Sequence, residues 1–330
     1  MTSKRKRILS GNRPTGPVHI GNYVGALKNW AQLQDEYDCF FMIADWHALT
    51  SDYADPAQLE VNTAGMILDW LSVGLDPERS TLFIQSKVKQ HAELSLLLSF
   101  ITPLPWLERC PSYKDQINQL SNKDLETHGF LGYPVLQAAD ILIYKADAVP
   151  VGEDQVPHVE MCREIARRFN NFYGEVFPEP GHLLSPVPKM LGIDGRKMSK
   201  SYDNCIYLKD SRPTVQKKVA QMITDPARIK RSDLGHPEVC SVFDYHKAFN
   251  AAEVPRIDGD CRSAALGCVD CKRNLAGKIN QVLDPFRERR AQFEREPKRV
   301  KQILADGILR AQQEAEETMK LVRHVMHLPE

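Results

Sequence analysis

The most constraining feature of this 330-residue chain is an alternation, in its first half, of short apolar runs with segments of helical period. Arg7-Ile8-Leu9-Ser10 is a short run that ends at Gly11. Leu27, Trp30, Leu33 and Tyr37 then recur at spacings of three or four, one face of a helix. Cys39-Phe40-Phe41-Met42-Ile43-Ala44 is apolar throughout, as a strand buried on both faces must be. A helix over about Pro56 to Leu71, a strand over Thr81 to Gln85 and a helix over His91 to Phe100 follow. This βαβαβ order predicts an α/β fold with a parallel, Rossmann-like sheet that binds ligands beyond the carboxyl ends of its strands.

Further along, a helical stripe runs from near Val135 to Lys145, a short strand covers Ala148-Val149-Pro150-Val151, and Val156 to Phe169 reads as a helix. Pro178 to Gly195 is rich in Pro and Gly. Beyond Thr214 strand signals fade, and Pro297 opens a long final helix to about Met326. A domain boundary is placed near residue 200.

Composition narrows the function classes. Hydrophobic residues are 42% and charged residues 26%, ordinary globular usage that excludes wholesale disorder. No apolar run approaches the ~20 residues that cross a bilayer, and no apolar core follows the basic start Met1 to Arg7, so neither membrane insertion nor secretion is expected. Lys+Arg and Asp+Glu both total 43, so any nucleic-acid contact must be a local basic patch.

Two loops carry chemistry. Gly11 to Asn22 follows a strand and opens a helix, whose free N–H groups and positive dipole end suit phosphate. In it Gly21 permits close approach, His19 and Asn22 can donate hydrogen bonds without fixed charge, and Arg13 adds a cation. It is not a P-loop, since no Gly-Lys-Ser/Thr follows the glycines. Gly195-Arg196-Lys197-Met198-Ser199-Lys200-Ser201 sets two flexible ammonium groups and two hydroxyls on a second loop.

His19-Ile20-Gly21-Asn22 paired with Lys197-Met198-Ser199-Lys200-Ser201 resembles the double signature of class I aminoacyl-tRNA synthetases. Asp45-Trp46-His47-Ala48-Leu49-Thr50, Ala138-Ala139-Asp140-Ile141-Leu142 and Val149-Pro150-Val151-Gly152-Glu153-Asp154-Gln155 are similar to the tryptophanyl-tRNA synthetases over nearly the whole chain. Tyrosyl-tRNA synthetases share the fold and both loops, but usually read Gly-Ser-Asp-Gln where this chain has Gly152-Glu153-Asp154-Gln155. A paralogue that binds nucleotide or RNA without charging tRNA is the other alternative; intact Lys197, Lys200, His19 and Asp140 argue against it. Arg13, His19 and Gln137 depart from many bacterial members and suggest a subgroup.

The resemblance implies activation of L-tryptophan by ATP with Mg²⁺, then transfer to tRNA(Trp), by a cytoplasmic homodimer. Lys197, Lys200, Ser201, His19 and Asn22 would be catalytic. Arg13, Pro14, Thr15, Gly21, Gly152, Glu153, Asp154, Val187, Met198 and Ser199 would join them in binding ATP. Asp140 would accept the indole N–H, with Tyr133, Gln137, His47, Leu9, Gly11 and Gln155 completing the tryptophan pocket. Residues 1–202 would form the catalytic domain, with a dimer-interface insertion at about 101–150. Residues 203–296 would form a helical anticodon-binding domain, and 297–330 a helix packing back on the body.

Eight cysteines argue against a disulfide framework in such a chain. Cys39, Cys110, Cys162 and Cys205 are scattered and read as small buried hydrophobes. Cys240, Cys261, Cys268 and Cys271 fall close together, with a Cys-x2-Cys pair, enough thiols for zinc or a [4Fe–4S] cluster. They resemble the cluster motif of a subset of bacterial tryptophanyl-tRNA synthetases, so a [4Fe–4S] cluster is expected, with zinc second. Arg228, Lys230, Arg231, Lys272 and Arg273 would supply the basic patch for tRNA.

Overall fold

The structure is a computed structural model and describes residues 5–110, 113, 125–184 and 190–329. The described residues contain one parallel five-stranded sheet in the order β3-β2-β1-β4-β5, with β1 Arg7–Asn12, β2 Asp38–Ile43, β3 Ser80–Ile84, β4 Ala148–Val151 and β5 Gly181–Leu184. The strands pack alternate side chains into two cores. Ile8, Phe41, Ile43 and Leu82 enter one; Leu9, Phe40, Met42 and Phe83 enter the other. That two-sided burial is why these strands read as unbroken apolar runs. Strand order reverses at β1, so the crevice beyond the ends of β1 and β4 is the natural ligand position.

After β1 the chain turns into α1, which begins at Ile20–Asn22, passes through a π-helical turn at Tyr23–Leu27 and ends as Lys28–Leu33. Next come α2 (Asp45–Asp52), α3 (Leu59–Val73), α4 (Gln90–Ser99), α5 (Leu104–Glu108), α6 (His128–Ile143) and α7 (Val156–Tyr173). Two expectations need correction. The helix carrying Asp140 starts at His128, capped by the Thr127 hydroxyl, well before Val135. Gly129, Gly132 and Pro134 in its first turns break the pattern that sequence reading relies on. Strand β5 was not expected at all, because it is short and alternately exposed.

The remainder is helical: α8 (Arg212–Gln221), α9 (Ser241–Phe249), α10 (Val254–Arg262), α11 (Cys268–Arg295) and α12 (Pro297–Val325). Arg290 of α11 ion-pairs with the buried carboxylate of Asp69 on α3, and Asp69 Oδ2 accepts the backbone N–H of Val18 at 3.3 Å. The far end of α11 therefore bears on the loop after β1. Helix α12 lies along β3 and covers that edge of the sheet, burying Ala311, Ala315, Met319 and Val322. Gly307 lets it approach so closely that a Cβ there would run into the Leu82 carbonyl oxygen. Gly307→Ala is thus expected to destabilise the protein by about 1–3 kcal/mol, read as a lowered Tm.

Candidate active site

A cavity of about 370 Å³ opens at the carboxyl ends of β1 and β4, where the topology places it. Leu9, Gly11, His47, Tyr133, Gln137, Asp140 and Gln155 all line it, drawn from β1, α2, α6 and the turn after β4. Arg13 and Gly152 line it too, whereas Glu153 and Asp154 stand exposed on the adjoining turn. Trp30, Phe130 and His158 complete walls that sequence reading did not name. The Tyr133 hydroxyl lies 3.2 Å from His158 Nε2, which fixes that side of the cavity.

Among the described residues, Asp140 is the one carboxylate in the lining, and it is almost wholly buried. Burial alone would raise its pKa. The facing His47 and His91 rings, through charge and hydrogen bonds, more than offset this and hold it below the usual carboxylate range. His47 Nε2 is 2.8 Å from Oδ2. Gln85 and His91, two further partners, were missed from sequence because each sits at the junction of a strand and a helix where polar residues are common. The signal that points to them is physical: an ionised aspartate on an apolar helix face needs buried donors.

The two loops meet beside the cavity. His19 caps α1: its Nδ1 accepts from the Asn22 backbone N–H, and the Asn22 side-chain oxygen accepts from the His19 N–H, both at 3.2 Å. Burial, then the Lys200 ammonium, push His19 down to about 4, so the ring is neutral at pH 7. With Nδ1 accepting, the ring proton is on Nε2, a donor without fixed charge. Gly21 has no side chain to keep Met198 of the second loop at a distance: a Cβ would sit 3.2 Å from its Sδ and 3.0 Å from His19 Nδ1.

The second loop is pinned by Asn204, which no motif flagged. Its side chain accepts from Ser199 N–H at 2.8 Å and donates to Asp194 at 2.7 Å and to the Lys197 carbonyl at 3.1 Å. Lys200 reaches across to the first loop, donating to the Gly16 carbonyl at 2.9 Å and to Thr15 Oγ1 at 3.4 Å. Lys197 is exposed, Pro14 is buried, and Arg13 donates to Ser51 Oγ at 3.4 Å. Ser201 lies in the short 3₁₀ turn Lys200–Tyr202, and Val187 lies outside the described residues.

The four clustered cysteines come from the start of α9, from α10 and from the first turn of α11. They are near enough to interact: burial first, then the charges of the other three thiols, push Cys271 up to about 12. Arg228 Nη1 lies 3.7 Å from Cys261 Sγ, and His246 Nε2 lies 3.3 Å from Cys271 Sγ. Among the described residues, however, no three His, Cys, Asp or Glu side chains are gathered on one point that a metal ion could occupy. This arrangement supports neither of the two expected metals over the other. Nor, among the described residues, is any helix long and apolar enough to cross a membrane.

Comparison with known proteins agrees with this geometry. The family model for class I tRNA synthetases (W and Y) matches residues 1–284. The tryptophan–tRNA ligase of Thermotoga maritima is 51% identical, over 98% of this chain and 99% of its own length. That of Aquifex aeolicus is 44% identical, over 98% of this chain and all of its own. The crystal structure of the Campylobacter jejuni tryptophanyl-tRNA synthetase, complexed with ADP and tryptophan, superposes with a TM-score of 0.87 at 35% identity, covering 98% of this chain and all of that one. With family model, near-full-length relatives and fold in agreement, the chain belongs to the class I aminoacyl-tRNA synthetases and, within them, to the ATP-dependent tryptophan–tRNA ligases.

Proposed function

We propose that the cavity beyond β1 and β4 binds L-tryptophan, with Asp140 accepting the indole N–H and Tyr133, Gln137, His47, Leu9, Gly11 and Gln155 forming its walls. The observation that carries this reading is the buried, ionised Asp140 at a cavity with the aromatic and aliphatic walls Trp30, Phe130, Tyr133 and Leu9. The indole N–H is a donor only, so an acceptor without a proton is its complement. A phenylalanine would leave that carboxylate without the partner.

ATP, carried with Mg²⁺ as its counterion, spans the two loops. His19 Nε2–H, Asn22, Gly21, Arg13, Pro14 and Thr15 meet it from the first loop. Lys197, Met198, Ser199, Lys200 and Ser201 meet it from the second. Gly152, Glu153 and Asp154 meet the adenosine. The tryptophan carboxylate attacks the α-phosphorus, pyrophosphate leaves, and tryptophanyl-adenylate results. A terminal ribose hydroxyl of tRNA(Trp) then attacks the adenylate carbonyl, breaking the anhydride bond and releasing AMP. The protein's share of the first step is positioning and charge stabilisation. Tryptophan-dependent ATP–pyrophosphate exchange together with charging of tRNA(Trp) tests the reading. Exchange driven by tyrosine would overturn the pocket assignment, and exchange without charging would favour the paralogue.

The same reading assigns residues 1–202 to catalysis, 203–296 to the anticodon and 297–330 to a return helix, in a cytoplasmic homodimer. The exposed Phe100, Leu104 and Phe172 support an interface following Phe100. Arg168, which stacks on Trp106 and Phe172 and donates to the Ile101 carbonyl, ties that surface together. Sedimentation at the mass of one chain would contradict it.

Cys240, Cys261, Cys268 and Cys271 are proposed to hold a [4Fe–4S] cluster. A [4Fe–4S] cube takes four thiolates, and these four thiols lie near enough for their charges to act on one another. Burial raises the Cys261 thiol, and Arg228 beside its Sγ offsets part of that rise. When bound, the cluster cross-links the three segments that carry its ligands. Replacing Cys268 and Cys271 together by Ser is expected to remove iron and labile sulfide, lower the Tm, weaken tRNA charging and spare much of the exchange activity. Native protein purified anaerobically without iron would refute the cluster.

A further inference from the structure

The Asp140 carboxylate is held mainly by groups behind the cavity. Oδ1 accepts from Gln85 Nε2 at 2.8 Å and from His91 Nδ1 at 2.6 Å. Oδ2 accepts from His47 Nε2 at 2.8 Å and from Gln85 Nε2 at 3.0 Å. Of these partners His47 lines the cavity, while Gln85 and His91 have no exposed surface and stand behind it.

His91 is itself fixed. Its Nε2 lies 2.7 Å from the hydroxyl of Tyr144, also fully buried. Burial and the Asp140 charge push that hydroxyl well above the usual tyrosine range, so it keeps its proton. An ionised carboxylate only accepts, so His91 Nδ1 carries a proton facing Asp140. Tyr144, His91 and Asp140 form one chain of hydrogen bonds that ends on the carboxylate.

We infer that His91, backed by Tyr144, is a positioning residue for amino-acid specificity, and that His47 is the partner which yields when an indole N–H arrives. The inference rests on the reading of Asp140 as the indole acceptor. A carboxylate offers about four lone-pair sites. Gln85 and His91 occupy the inner ones, which leaves the site held by His47 as the one the cavity can reach. Without His91 the carboxylate loses a donor, turns more freely and takes up a proton more readily, and a protonated acid accepts poorly.

A purely structural role would lower activity with every amino acid alike. A positioning role lowers what depends on the N–H. The test is ATP–pyrophosphate exchange with tryptophan and with the alanine derivative of benzothiophene, in which sulfur replaces the indole N–H at nearly the same shape. The intact enzyme is expected to prefer tryptophan by ~100-fold or more in kcat/KM. In His91→Leu that preference falls about tenfold, with the KM for ATP within about twofold of the original. His91→Asn, whose amide still donates from near the Nδ1 position, keeps most of the preference. Tyr144→Phe, a single-oxygen deletion that serves if His91→Leu does not fold, lowers the preference about threefold. A preference unchanged in His91→Leu, or failing that in Tyr144→Phe, overturns the inference alone. No preference in the intact enzyme overturns the Asp140 reading beneath it.

Discussion

Asp140→Asn is expected to lower kcat/KM for tryptophan in pyrophosphate exchange by roughly 30- to 1,000-fold, while the KM for ATP changes little. The loss corresponds to about 2–4 kcal/mol, the range for a buried hydrogen bond to a charged partner whose charge is removed. Asparagine matches aspartate in shape, and its amide can meet His91 if that ring turns an unprotonated Nδ1 toward it. The fold should therefore survive. Asp140→Ala is harsher, because it leaves buried N–H groups of His47, Gln85 and His91 without an acceptor. It is expected to lose activity and stability together, and comparing the two variants in thermal unfolding separates those effects. Tryptophan activation at its original level in Asp140→Asn would remove this residue from the site.

What was legible in the sequence follows from what burial does to residue patterns. Strands β1 to β3 were readable because both of their faces are covered, and β5 was not because its edge position lets polar residues in. Helix α6 was found late because its own first turns hold Gly129, Gly132 and Pro134, residues that packing tolerates and propensity disfavours. The cavity residues were named chiefly through the family resemblance, and the fold brings all seven of them together. What motifs could not supply was the second layer. Gln85, His91 and Asn204 touch no ligand position, and their identity is fixed by hydrogen bonds between distant segments. His19 and Asn22 illustrate a related limit. Read as phosphate donors, they turn out to spend part of their capacity on capping α1, which leaves the His19 Nε2–H for a ligand.

Lys200→Ala is expected to lower the rate constant for adenylate formation by ~10²–10³ and to leave tryptophan affinity nearly unchanged, as for loss of one preorganised group that stabilises developing charge. The ammonium now rests on the Gly16 carbonyl and Thr15, at the mouth of the phosphate loop, so a pyrophosphate leaving there would meet it directly. Its acidity gives a second handle. Burial, only partly countered by the Cys205 and Asp69 charges, lowers Lys200 from 10.5 to about 8. At pH 7 the group is mostly charged, and it discharges as pH rises through 8. Because kcat/KM for ATP reports the free enzyme, it should fall on the alkaline side with an apparent pKa near 8. Stability moves the other way. Between about pH 8 and 10.5 the unfolded chain binds more protons at this lysine than the folded one, so its contribution to stability rises with pH. Lys200→Arg keeps the charge at all these pH values and should abolish the alkaline limb, whatever it does to the maximal rate. A wild-type profile flat to pH 9.5, or an alkaline limb that persists in Lys200→Arg, would show that this lysine does not govern phosphate capture.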